Sequence, residues 1–250
     1  WTVKLQDTPQ RDPSTRSRNS RSIHAVMALT SVVRVYSIQE KLHTEVRHDV
    51  QGMLPLTSVS AMPIEIPTLT PHQAKNALGV GMLLVDLRPY KEFASRHIPG
   101  SINVVFSRKS LPERVATAIP PGPQIALLSG EEGIAEAAAQ ELQQVDRNLL
   151  QGIVTGGTEA WDHAGLPLAQ LSQVPVSDLW QRLNAPDDEL MLIDVREPFE
   201  WELGYIKGSL LISLAEIWQQ AYRLDQRRHI VLICEEGVRS STAASILLHH

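Results

Sequence analysis

The sequence predicts an α/β protein: two tandem copies of one unit, each a mostly parallel sheet flanked by helices on both faces. Three observations predict it. Apolar runs of strand length alternate with longer helical stretches, the pattern of parallel sheets covered on both faces. A set of short motifs recurs in the same order at a fixed offset. The composition, 43% hydrophobic and 20% charged over 250 residues, suits one large or two small globular domains.

The repeat is explicit. Asp86-Leu87-Arg88 returns as Asp194-Val195-Arg196, Glu92-Phe93 as Glu200-Trp201, and Ile98-Pro99-Gly100-Ser101 as Ile206-Lys207-Gly208-Ser209, all at an offset of 108 residues. Glu131-Glu132-Gly133 returns as Glu235-Glu236-Gly237 at an offset of 104. Such order and spacing mark two copies of one domain. The first spans 66–168 and the second 174–250, joined by the short stretch between Pro167 and Pro175. Residues 1–61 stand apart. The first 26 hold Arg11, Arg16, Arg18 and Arg21 among small polar residues, with too little apolar surface to offset chain entropy. The whole segment is expected to be disordered or non-native, with Met27 or Met62 as candidate natural starts.

Each element has a local reason. Thr70-Pro71 reads as an N-cap with proline in the first turn, opening a helix through Leu78. Met82-Leu83-Leu84-Val85 is a buried strand ending in Asp86, and a helical stretch with Tyr90, Phe93 and Ala94 follows. Ile125-Ala126-Leu127-Leu128 is the next strand, leading through a glycine-containing loop into a helix over 134–143. Ile153-Val154 is one more short strand, before Gly156-Gly157. The second copy repeats this as a helix over 177–183, a strand over 191–193, a helix over 197–203, a strand over 230–233, a loop, and a helix from Ser240. Copy one continues to Trp161, whereas counterparts of Ile153-Val154 and Gly156-Gly157 are missing after Cys234. Copy two is therefore expected to be incomplete at its C-terminus.

Composition narrows the chemistry. No apolar run approaches the roughly 18 residues a helix needs to cross a bilayer, so no membrane partner is expected. A net charge of −5 argues against nucleic acid as a partner. Cys234 is the one cysteine, which excludes a disulfide framework and a zinc site built on several thiolates. The nine histidines are scattered without ligand spacing, and no glycine-rich nucleotide loop is present, so neither a metal nor a cofactor is expected. A single thiol suits a reducing compartment, here read as the cytoplasm.

The chemistry therefore falls on Cys234. It follows an apolar strand and precedes Glu235-Glu236-Gly237-Val238-Arg239-Ser240, where a helix begins. In open α/β sheets, reactive groups sit where strand C-ends meet helix N-termini. A thiol there faces unpaired backbone N–H groups and the positive end of a helix dipole, which favour thiolate. Gly237 permits the tight curl around an anion, and Arg239 adds a permanent cation. A lone buried cysteine packing as a small hydrophobe is the plain alternative.

These motifs resemble those of tandem rhodanese-like domain proteins, the sulfurtransferase family. The second copy carries Asp194-Val195-Arg196-Glu197-Pro198, Glu200-Trp201, Gly204-Tyr205-Ile206 and Cys234-x-x-Gly237-x-Arg239-Ser240. The first carries Asp86-Leu87-Arg88, His97-Ile98-Pro99-Gly100-Ser101 and Gly156-Gly157-Thr158-Glu159-Ala160-Trp161. The resemblance implies a sulfane sulfur taken from a donor such as thiosulfate or a persulfide onto Cys234, then passed to cyanide or a thiol. It implies that the loop amides of Glu235, Glu236, Gly237, Val238, Arg239 and Ser240 bind the transferred sulfur. It also implies that Arg239 holds the anionic donor or shapes the loop. Asp194, Arg196 and Glu200 read as a structural ion-pair network at the strand–helix turn. The implied partners are a small sulfur compound or a protein thiol or persulfide; oligomeric state is left open.

Two departures matter. The first copy has no cysteine: aligning the glutamates puts Gly130 at its place, and aligning strand ends puts Ser129 there. Arg239 falls opposite Ala135 or Ile134, so the first copy is expected to be inactive. The second departure is the acidic pair Glu235-Glu236 right after the cysteine, which opposes binding of a dianion such as thiosulfate. A non-catalytic sulfur-relay, regulatory or scaffold protein is therefore the alternative from another class. A cysteine phosphatase is a weaker rival, because tyrosine phosphatases place five residues between Cys and Arg and this loop places four.

Overall fold

The computed structural model describes residues 24–29, 32–35, 66–146, 148–183 and 190–250. Along the chain come strands β1 (His24–Leu29), β2 (Val32–Val35) and β3 (Thr68–Leu69), helix α1 (Pro71–Leu78), β4 (Leu83–Asp86), α2 (Tyr90–Ser95) and β5 (Ile102–Asn103). Then follow α3 (Leu111–Ala118), β6 (Ile125–Leu128), α4 (Ile134–Val145), β7 (Leu150–Val154) and α5 (Gly157–His163). The second unit adds α6 (Val176–Leu183), β8 (Leu190–Asp194), α7 (Pro198–Trp201), β9 (Leu210–Leu211), α8 (Leu214–Gln220), β10 (His229–Cys234) and α9 (Val238–His249).

The strands form two five-stranded sheets. The first unit's sheet has order β3-β7-β6-β4-β5, parallel throughout. The second has order β2-β1-β10-β8-β9. Its three C-terminal strands are parallel, whereas β1 runs antiparallel to β10 and β2 antiparallel to β1. Domain duplication is thus visible in the pairing itself: β6 beside β4 beside β5 matches β10 beside β8 beside β9. Where the first unit sets parallel β7 beside β6, the second sets antiparallel β1 beside β10. Most of 1–61, expected to be disordered or non-native, lies outside the described residues; the two described pieces are strands of the second sheet.

The predicted elements form for the expected reasons. Thr70 caps α1, and the Gln73 side chain returns the favour by accepting from the Thr70 N–H at 2.8 Å. Leu83, Leu84, Val85 and Asp86 are buried as a block, as a central parallel strand requires. The helix expected over 197–203 is confined to α7, Pro198–Trp201. The sequence pattern misses β1, β2, β3, β5, β9, α3, α5 and α8. Two-residue strands carry no periodicity, and helices of seven or eight residues barely complete two turns.

The units meet along α9. Asn103, at the end of β5, donates its backbone N–H to Ser245 Oγ at 2.9 Å and accepts from Ser241 Oγ at 2.7 Å. Its side-chain amide also donates to the carbonyls of Asp86 and Arg88, both at 3.0 Å. Asn103, Ser241 and Ser245 are wholly buried. One face of α9 covers its own sheet, and its serine face is seated on the first unit. Helix α3 packs against α8 and α9 and closes the junction.

Candidate active site at the end of strand β10

Cys234 is the last residue of β10, whose Ile230, Val231, Leu232 and Ile233 are buried beside β8. The chain then turns through Glu235 and Glu236 to Gly237, which takes φ +86° and caps α9. That left-handed angle suits glycine, and it lets the first amides of α9 turn back on the strand end. The Gly237 N–H donates to Cys234 Sγ at 3.1 Å and the Ser240 N–H at 3.4 Å. The Ser240 hydroxyl lies 3.2 Å from Sγ and equally near the Gly237 carbonyl, and can give its proton to either. Two amide donors, a hydroxyl in contact and the positive end of a twelve-residue helix thus converge on one sulfur. Cys234 is 1% exposed and lies at the floor of a cavity of about 420 Å³. Of the loop amides expected to cradle sulfur, those of Gly237 and Ser240 reach Sγ; Glu235, Glu236, Val238 and Arg239 line the cavity instead.

Arg239 does not point at the sulfur's open side. Its two terminal nitrogens both donate to Glu200, the second at 2.9 Å to Oε1. Glu200 Oε2 also accepts from the Glu197 N–H at 2.9 Å. Burial would raise the Glu200 carboxyl, but the Arg239 hydrogen bonds, the Glu197 amide and the charge of Arg196 outweigh it and hold it below its ordinary value. Burial would lower the Arg239 guanidinium, but the same pair outweighs it and raises the group above its ordinary value. Arg239 therefore braces α9 against α7.

The ion-pair network expected of Asp194, Arg196 and Glu200 accordingly divides, because the Glu200 carboxylate is saturated by Arg239. Arg196 pairs with Asp194 alone, Nε to Oδ1 at 2.9 Å, and its Nη2 donates to the Gly204 carbonyl at 2.9 Å. The first unit repeats this: Arg88 Nε to Asp86 Oδ1 at 2.9 Å, and Nη2 to the Arg96 carbonyl at 2.9 Å. The motif is a strand–helix clamp used twice, away from the sulfur.

Strand register decides what occupies the cysteine's place in the first unit. Leu128 pairs with Asp86 as Ile233 pairs with Asp194, so Ser129 is the counterpart of Cys234 and Gly130 is one extra loop residue. The Ser129 hydroxyl donates to the Glu131 carbonyl at 3.2 Å in a local turn. With Gly133 and Gly237 both capping helices, Arg239 falls opposite Ala135, which is buried in the core.

The first unit also enters the second unit's cavity. Val104, Val105, Glu113, Arg114 and Thr117 line it opposite Cys234. A β-carbon placed on Gly237 would stand 3.0 Å from Cε2 and Cζ of Tyr90. Sequence reasoning misses Tyr90, Asn103 and Arg114. For Asn103 a signal exists: the offset of 108 places Leu211 opposite it, so the repeat breaks where the first unit receives α9. Among the described residues no group of histidine, cysteine and acidic side chains could hold a metal, and no helix is long and apolar enough to cross a membrane.

The chain is similar to several known proteins. YrkF of Bacillus subtilis (strain 168), a candidate sulfur carrier protein by its name, is 30% identical over 83 residues, 33% of this chain and 44% of YrkF. YtwF of the same organism, a candidate sulfurtransferase by its name, is 32% identical over 78 residues, 31% of this chain and 75% of YtwF. The thiosulfate sulfurtransferase structure from Pseudomonas aeruginosa aligns with 19% identity and a TM-score of 0.34, over 73% of this chain and 41% of that one. The chain thus spans less than half of YrkF and of the Pseudomonas enzyme. The family model for the rhodanese-like domain matches residues 70–164 and 175–250, more than half of the sequence. The chain belongs to the rhodanese-like domain family.

Proposed function

We propose that this protein is a sulfurtransferase that carries a sulfane sulfur on Cys234. The observation behind this reading is the convergence of the Gly237 N–H, the Ser240 N–H and the Ser240 hydroxyl on one buried sulfur at the floor of an open cavity. Such donors stabilise the negative charge of a terminal persulfide. With thiosulfate, the Cys234 thiolate attacks the outer sulfur. The S–S bond to the sulfonate sulfur breaks, and its electron pair leaves with sulfite. The enzyme then holds Cys–S–S⁻. Cyanide or a thiolate attacks the terminal sulfur, and the bonding pair returns to Cys234 as thiolate. No proton or outside oxidant is needed in either half. Loop residues 235–240 form the binding wall, Arg239 and Glu200 brace it, and the first unit is catalytically inactive. A reducing compartment such as the cytoplasm keeps the single thiol available.

A sulfur relay to a protein thiol is the second reading, favoured by Glu235 and Glu236 at the mouth of the cavity. One experiment serves both. Thiocyanate formation from thiosulfate and cyanide is measured for the chain and for Cys234→Ser, with intact mass read after exposure to thiosulfate or to a persulfide. Product from the parent chain alone, with the added mass of one sulfur, supports the transferase. Added mass from the persulfide without thiocyanate supports the relay. No added mass from either donor refutes both.

A further inference from the structure

We infer that Arg114, contributed by the first unit, positions the anionic group of a sulfur donor or acceptor over Cys234. The inference deepens the proposed sulfur transfer and rests on it for the identity of the substrate. The argument begins with Arg239, the cation the sequence offers. Both of its terminal nitrogens donate to Glu200, whose carboxylate offsets the positive charge an incoming anion would meet. Of the loop amides, those of Gly237 and Ser240 already point at Sγ itself. An anionic group attached to the reacting sulfur is left to the remaining loop amides and to any cation elsewhere in the cavity.

Arg114 is such a cation. It sits on α3, half-buried, in the wall that the first unit turns toward Cys234. Its Nη1 donates to the Val105 carbonyl at 3.1 Å, which fixes the guanidinium plane from one side. Among the described residues no carboxylate forms an ion pair with it, in contrast to Arg88, Arg96, Arg196, Arg227 and Arg239. A guanidinium carries five N–H donors in a rigid fork, and a single carbonyl leaves most of them unused. The remaining donors match the oxygens of a sulfonate or a carboxylate. Four carboxylates line the same cavity: Glu113 and Glu236 are exposed, where water and salt screen them, and Glu197 and Glu235 are half-buried. They lower affinity for every anion, which leaves orientation of a bound one to Arg114. The substrate class is therefore a sulfur compound whose oxyanion lies next to the reacting sulfur. The inactive copy would then take part by supplying the cation that its partner has spent on structure.

The test uses two alkylating reagents of one chemistry and different charge. Iodoacetate and iodoacetamide attack the same thiolate and lose the same iodide, so the ratio of their rates at Cys234 reads the local field at the reacting carbon. The iodoacetamide rate corrects for access and thiolate reactivity. Arg114→Gln is expected to lower the iodoacetate-to-iodoacetamide ratio on the order of fivefold, the size of one unit charge about 5 Å away at nearly the dielectric of bulk water. Arg114→Lys is expected to keep most of it. A ratio for Arg114→Gln within about twofold of the parent overturns the inference, whether both rates hold or both fall together. Sulfur transfer is judged separately by the mass gain of the parent chain. Its failure alongside a lowered ratio would remove the substrate's identity and leave Arg114 as the anion-orienting group at Cys234.

Discussion

The Tyr90 ring of the first unit rests on Gly237 of the second, the residue that turns the chain from Cys234 into α9. A β-carbon there would meet Cε2 and Cζ at 3.0 Å, and the backbone holds φ at +86°. Gly237→Ala is therefore opposed twice, by the left-handed backbone and by the ring. The backbone part costs about 1–2 kcal/mol. The double variant Gly237→Ala/Tyr90→Ala should recover the steric part and keep the backbone part, leaving a coupling energy measurable by urea unfolding. Strict additivity of the two variants would refute the contact.

Ser240 tests the sulfur's environment. Ser240→Ala removes a hydroxyl 3.2 Å from Sγ and leaves both amides in place. One such bond is worth about 1 kcal/mol. The expected result is a roughly fivefold slower reaction of Cys234 with iodoacetamide at neutral pH.

The Glu200–Arg239 pair makes stability depend on pH in a defined direction. The Glu200 carboxyl lies below its ordinary value of 4.5 in the folded protein, so its contribution is fully present above 4.5 and lost as pH falls through the lower folded value. Glu200→Gln should destabilise the protein at pH 7 by about 1–3 kcal/mol, moderated because Arg239 reaches solvent. The difference from the parent should shrink as pH drops below 4.5, as read by thermal melts across pH. A constant difference down to low pH would show that the pair acts through packing alone.

The junction between units offers a third stability test. Ser241→Ala leaves Asn103 Oδ1 buried and without its 2.7 Å donor. The expected cost is about 1–3 kcal/mol in chemical denaturation. Leu248, exposed near the end of the same helix, should tolerate alanine with a change of about 0.5 kcal/mol or less.

Much of this architecture is legible in the sequence, and what is missed has physical causes. Asp86 and Asp194 end apolar runs and precede arginine at the same spacing, so a recurrent strand–turn–helix can be read from the letters. Cys234 is conspicuous because it follows Ile233 and precedes Gly237. Glu200 feels Arg196 through its charge, but its hydrogen bonds run to Arg239. Sequence proximity favours Arg196, four residues away, while the fold brings Arg239 across 39 positions. Arg114 and Tyr90 escape notice because nothing local marks them. Their importance arises only when α2 and α3 of one unit meet the loop of the other. Ser241 and Ser245 are polar yet wholly buried, because Asn103 satisfies them across the junction.

That seryl seat has a consequence for how such a duplicated chain can change over generations. A spare copy that merely lost its nucleophile would be free to drift or disappear. Here the copy without a cysteine holds the helix whose first turn faces the reactive sulfur, through Asn103, and adds Tyr90 against the turn itself. The two halves share one buried junction. A change at the end of β5 is therefore passed, through α9, to the turn that holds Cys234.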